Sequence, residues 1–169
     1  MGKLQLKKEL ATMTHEQIVQ VVMDAYSARK ETREYFDFFL DPDVDKLQEK
    51  TLARIDRELS RSKHGHSTSR ITQIRREIKN FAGFDPGPEH VRNLMIETLR
   101  RILVREKYVY YKEAFEKGTR KLIEDIVQYA DTHAIIDSTI TALSEIARDP
   151  AMGTASFRTR MLSRFMYAK

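Results

Sequence analysis

Turn-forming residues are scarce in this chain and bunched. Six glycines and four prolines serve 169 residues, and all four prolines fall at three places: Asp41-Pro42, Gly83-Phe-Asp-Pro-Gly-Pro88 and Asp149-Pro150. A β-sandwich or barrel would need a turn signal every ten positions or so. The long stretches between these breaks, rich in Leu, Ile, Glu, Lys and Arg, instead carry apolar residues three and four apart, the period of a helix with one buried face. The expected fold class is all-α, with about seven to nine helices in antiparallel hairpins. These would pack as an irregular bundle or a short stack of the armadillo or HEAT kind. A chain of 169 residues can bury roughly 70% of its unfolded surface, so a single domain is expected, with a sub-boundary in the loop 83–88, the strongest break.

From the N-terminus, Leu4, Leu6 and Leu10 suggest a short opening helix. Thr14-His-Glu-Gln17 reads as a capping box that starts the next one, with Ile18, Val21, Val22 and Ala25 on its apolar stripe. The stripe lapses after Ser27, which predicts an interrupted pair of helices, and resumes in the densest aromatic patch of the chain. There Tyr35, Phe36, Phe38 and Phe39 are expected to bury most of their rings, before Asp41-Pro42 ends the helix. Tyr26, Lys30 and Glu34 fall four apart, as on one helical face.

Val44, Leu47, Leu52, Ile55 and Leu59 predict an amphipathic helix, followed by a flexible polar loop, Ser60 to Ser69. Thr68 or Ser69 is expected to cap a helix with Ile71, Ile74, Ile78 and Phe81 on its apolar face. Pro88 suits the first turn of another, which buries Val91, Leu94, Met95, Leu99, Ile102 and Leu103. Tyr108, Tyr110, Tyr111 and Phe115 follow, with Gly118 as a C-cap. Leu122, Ile126, Tyr129, His133, Ile136, Ile140, Leu143 and Ala147 form the most regular seam, as one long helix or two, with His133 read as a buried packing residue. Beyond Asp149-Pro150, a last helix carries Phe157, Met161, Leu162 and Phe165.

The chain has no cysteine, which excludes disulfides, thiolate metal sites and a cysteine nucleophile. His64-Gly65-His66 offers two imidazoles but no further metal ligands nearby, and no catalytic triad, paired-carboxylate or nucleotide-binding motif is present. Neither a cofactor nor a metal is expected. Enzymatic action on a phosphorylated small molecule would require His64, His66 or His133 to converge with carboxylates. No stretch of 18 apolar residues occurs and no signal-peptide core opens the chain, so a cytoplasmic protein without a membrane segment is expected.

The net charge of +5 is uneven: residues 54–80 carry eight basic and three acidic groups, an excess equal to that of the whole molecule. Arg70, Arg75, Arg76 and Lys79, together with Arg100 and Arg101 on the following helix, are therefore the candidate macromolecule-binding residues. The expected role is that of a non-enzymatic interaction or scaffold protein, binding another protein through this basic helix face. The alternative is a nucleic-acid-binding accessory protein using the same residues. Seven methionines and fifteen Phe and Tyr residues also suit self-association.

The opening third resembles a family of small bacterial proteins of unknown function. The resemblance rests on Lys7, Lys8 and Leu10, on Thr14, Glu16 and Gln17, on Tyr26, Lys30 and Glu31, and on Glu34, Tyr35, Phe36, Phe39, Leu40 and Pro42. It implies a bacterial, cytoplasmic, helical protein and carries over no activity and no catalytic residue.

Overall fold

The Thr14 hydroxyl accepts the Gln17 amide at 3.3 Å, and the Gln17 side chain accepts the Thr14 amide at 2.9 Å, completing the capping box. The computed structural model describes residues 2–166, and its fold is all-helical. The chain divides into two compact units between Asp43 and Val44.

The first unit holds α1 (Lys3–Thr12), α2 (His15–Ala28) and α3 (Lys30–Leu40). One extended residue, Arg29 at φ −140°, ψ 134°, separates α2 from α3, so the interruption expected after Ser27 is a sharp break two residues later. Across this corner Tyr26 donates a 2.8 Å hydrogen bond to Asp37, which raises the phenol's pKa, and its ring tilts against Phe36. Tyr26 therefore belongs to another helix than Lys30 and Glu34, whose own pair spans 3.8 Å. No side chain of the three helices is buried. Contrary to the expectation for the aromatic patch, Tyr35 is 46% and Phe39 68% exposed, while Phe36 and Phe38 are half-buried. At 100° per residue, positions 35, 36, 38 and 39 spread around much of the helix, and one helix-pair seam cannot cover them all.

The second unit holds the core. Its helices are α4 (Val44–Leu59), α5 (Ile71–Ala82), α6 (Pro88–Glu106), α7 (Glu113–Thr132), α8 (Ile136–Arg148) and α9 (Ala155–Leu162), which runs into a 3-10 turn at Ser163–Phe165. Each packs on the next and on the next but one. The most embedded is α6, which touches α4, α5, α7, α8 and α9 and buries Leu94, Leu99, Ile102 and Leu103 completely. Because α5 and α6 pack together and Ile78, Phe81, Val91 and Met95 all belong to one core cluster, the stretch 83–88 is a turn inside this unit. Pro88 occupies the first helical turn of α6, as expected.

Three local features depart from the sequence reading. Residues 60–69 are not a flexible loop: β1 (Ser62–Lys63) and β2 (His66–Ser67) form a hairpin turned by His64 (φ 51°) and Gly65 (φ 77°). Its strand end is held by Tyr110, whose amide donates to the Gly65 carbonyl and whose carbonyl accepts the Ser67 amide, both at 2.9 Å. The seam read as one helix or two is two, α7 and α8, parted by a Schellman turn in which the Ile135 amide reaches the Ala130 carbonyl and the Ala134 amide that of Asp131, and it is His133 that departs. Ala134 holds the left-handed position (φ 57°), and His133, at the C-cap, is exposed rather than buried.

Gly118 is not a C-cap either but lies in the second turn of α7, directly against Ile71 at the start of α5. A Cβ there would stand 2.8 Å from Ile71 Cγ1, 3.1 Å from Ile71 Cβ and closer still to Cγ2. Gly118→Ala should therefore destabilise the protein by about 1–2 kcal/mol in urea unfolding, reversing the gain of about 1 kcal/mol that alanine brings to a helix interior. Combining it with Ile71→Ala should recover most of that loss.

Candidate functional site

Three of the six basic candidates converge. Arg75, Arg76 and Lys79 stand on α5 along a groove of about 440 Å³ whose other walls are α6 and α7. Val91 and Met95 of α6 and Leu122 of α7, all buried core residues, form its apolar floor with Ile78, and Tyr129 closes one side. Burial raises the Tyr129 phenol pKa, and the Asp85 carboxylate adds to the effect. Arg75 is tied across the groove to Asp125, which Lys121 also approaches at 3.4 Å. Arg76 and Lys79 are exposed and have no carboxylate partner among the described residues.

The other three candidates lie elsewhere. Arg100 and Arg101 line a second groove, between α4 and α6, with Leu59, Val104, Arg105 and Tyr108. Arg101 is neutralised there: its guanidinium holds both Asp56 oxygens, at 2.8 and 3.0 Å, and its Nε lies 3.3 Å from Glu97. The six residues therefore do not form one face. Residues on α5 and α6 project from differently placed helices, and adjacency along the sequence does not carry across the turn.

Arg70 does structural work. It is the N-cap of α5, where its own side chain makes no capping bond, and neither Thr68 nor Ser69 caps the helix. The cap comes from α4 instead. Glu58, 7% exposed, accepts the Arg70 amide at 2.7 Å, with Arg70 Nε at 3.4 Å and Arg61 at 3.2 Å. A carboxylate suits the positive end of a helix. Desolvation is the largest influence on the Glu58 carboxyl and pushes its pKa up, but these N–H donors together outweigh it and hold the pKa below the ordinary 4.5.

The histidines sit apart from both grooves' walls. His64 makes the hairpin turn and His66 meets the Tyr110 ring edge-on, with centroids 5.7 Å apart, while His133 ends α7 beside Tyr129. Among the described residues no three His, Asp or Glu side chains gather as a metal site, and no helix is long and apolar enough to cross a membrane. The tyrosine cluster divides: Tyr111 is buried and stacked on Phe115 at 4.2 Å, whereas Tyr108 and Tyr110 are exposed. Of the groove residues outside the six candidates, Tyr129 belongs to the seam already read, and Asp125, three positions after Leu122, stands beside it.

Fold and site together define an all-helical protein with a basic-rimmed apolar groove. The chain belongs to DUF6155, a family of unknown function, which it matches over residues 1–157. No curated protein and no solved structure matches it.

The Glu58 junction gives a pH signature. Since its folded-state pKa is depressed, its contribution is complete above pH 4.5 and is lost as the pH falls through the folded value. Glu58→Gln should cost about 1–3 kcal/mol near neutral pH and flatten the acid limb of stability. Urea midpoints measured from neutral pH down to about pH 3 check both.

Proposed function

We propose that this chain is a non-enzymatic, cytoplasmic bacterial interaction protein that docks an acidic amphipathic segment of a partner protein in the groove between α5 and α7. The observation that carries this reading is the pairing of an apolar floor with two unneutralised cations. Val91, Met95, Leu122 and Ile78 supply the floor, and Arg76 and Lys79 stand at its edge. An amphipathic helix would lay apolar side chains on that floor and present carboxylates to Arg76 and Lys79. The apolar contact supplies affinity, and the charges supply register and rate of encounter.

Nucleic acid is the rival occupant of the basic face. It is less favoured because Arg70, Arg75 and Arg101 already face carboxylates of Glu58, Asp125 and Asp56. A polyanion would have to compete for them, leaving few phosphate contacts.

The two readings separate by salt and by mutation. A fluorescent acidic amphipathic peptide should bind the wild type, keep most of its affinity between about 50 and 200 mM salt, and lose about tenfold or more with Arg76→Glu plus Lys79→Glu. Met95→Asp, which spoils the floor without touching the cations, should weaken it comparably. Binding to heparin or random single-stranded DNA that collapses over the same salt range, with no peptide binding, would transfer the groove to the nucleic-acid reading.

A further inference from the structure

Buried and exposed apolar residues are distributed unequally between the two units. Every buried side chain among the described residues lies between Thr51 and Phe165, in the second unit. Of the twelve large apolar side chains that are exposed, nine belong to residues 4–40. A unit of this size cannot bury enough of its own surface to be stable alone, and below about 40 residues a chain needs a disulfide, a metal or association. The chain has no cysteine, and the described residues hold no metal-ligating cluster. Association is the device left.

The uncovered side chains have helical order. Val19 and Met23, four apart on α2, are 47% and 51% exposed, and Phe39 and Leu40 at the end of α3 are 68% and 78% exposed. With Val21 and Tyr35, they leave uncovered about as much surface as three whole large side chains on α2 and α3, on the order of 500–700 Å². A stable interface of standard size takes about 800 Å² from each partner, of which somewhat over half is apolar. The charge of this unit also permits self-pairing, because residues 1–43 carry six basic and eight acidic groups and two copies repel only weakly.

We propose that residues 2–43 are the self-association module of this protein: the α2–α3 pair packs its exposed apolar face against the same pair of a second copy. Two helix pairs joined in this way make a four-helix arrangement that covers both apolar faces, through an isologous, two-fold contact. The inference uses a different surface from the α5–α7 groove and is independent of it.

The test exploits the missing cysteine, since Met23→Cys provides a single labelling position in the full chain. Sedimentation of the unlabelled protein from about 1 to 100 µM should show a dimer, and Val19→Asp with Phe39→Asp should weaken it about a hundredfold or more while far-UV circular dichroism stays helical. Pyrene attached to the thiol of the Met23→Cys variant should give excimer fluorescence that is diluted away by excess unlabelled protein. A monomer across this range overturns the proposal, as would happen if the face folded back on residues 44–166 or met a different protein. A dimer that gives no excimer and ignores both substitutions overturns it as well, by placing the contact elsewhere.

Discussion

The burial of α6 is the constraint on which the second unit depends. Val91, Leu94, Met95, Ile96, Leu99, Ile102 and Leu103 are all buried, and Thr98 is buried as well, its hydroxyl returned to the Leu94 carbonyl at 2.8 Å. A helix with that many apolar positions cannot be satisfied by one neighbour. Five helices cover it, and the grooves run along it where the covering is incomplete. The apolar floor of the candidate site is thus the visible edge of the core.

Polar junctions fix the connections around that core. Glu58 caps α5 from α4, and Glu106 at the end of α6 accepts the Thr154 amide at 2.8 Å and its hydroxyl at 3.0 Å where α9 begins. Arg158 donates from α9 to the Ala147 carbonyl, which the end of α8 leaves open, and to the Met152 and Gly153 carbonyls of the turn that follows. Gly153 is required in that turn on two counts: its φ is 73°, and a Cβ would stand 2.7 Å from the Leu103 carbonyl oxygen. These bonds join residues from five to 48 positions apart, so the packing of the helices is set by charge and backbone bonding as well as by apolar contact.

What the sequence makes legible are features encoded within a few residues. The Thr14 capping box, the Pro88 start of α6, the bounds of α4 and the stop at Asp149-Pro150 all depend on local chemistry. Less legible is whatever a distant residue decides. Gly118 has the composition of a helix end, and only the presence of Ile71 shows it to be a helix crossing. The Schellman turn after α7 places alanine where glycine is the usual marker, so the sequence leaves open whether the seam through His133 is one helix or two. The aromatic run of α3 looks like core because ring size predicts burial on average, yet three short helices enclose no interior. At the site, charge density points to α5, but pairing decides which cations are free: Arg70, Arg75 and Arg101 are taken by carboxylates that lie 12, 50 and 45 residues away.

The close approach of α5 and α7 at Ile71 and Gly118 also shapes the groove beyond it. The two helices touch there at one end, and the groove residues begin immediately afterwards, with Thr72 on α5 and Leu122 on α7, and continue to Ala82 and Tyr129. The cleft therefore begins beside a contact that only a hydrogen atom at position 118 allows. Any side chain at position 118 would act as a spacer at that contact and push the two helices apart beside the cleft. The calibre of the cleft can in this way drift between related chains through a residue that never meets what the cleft holds.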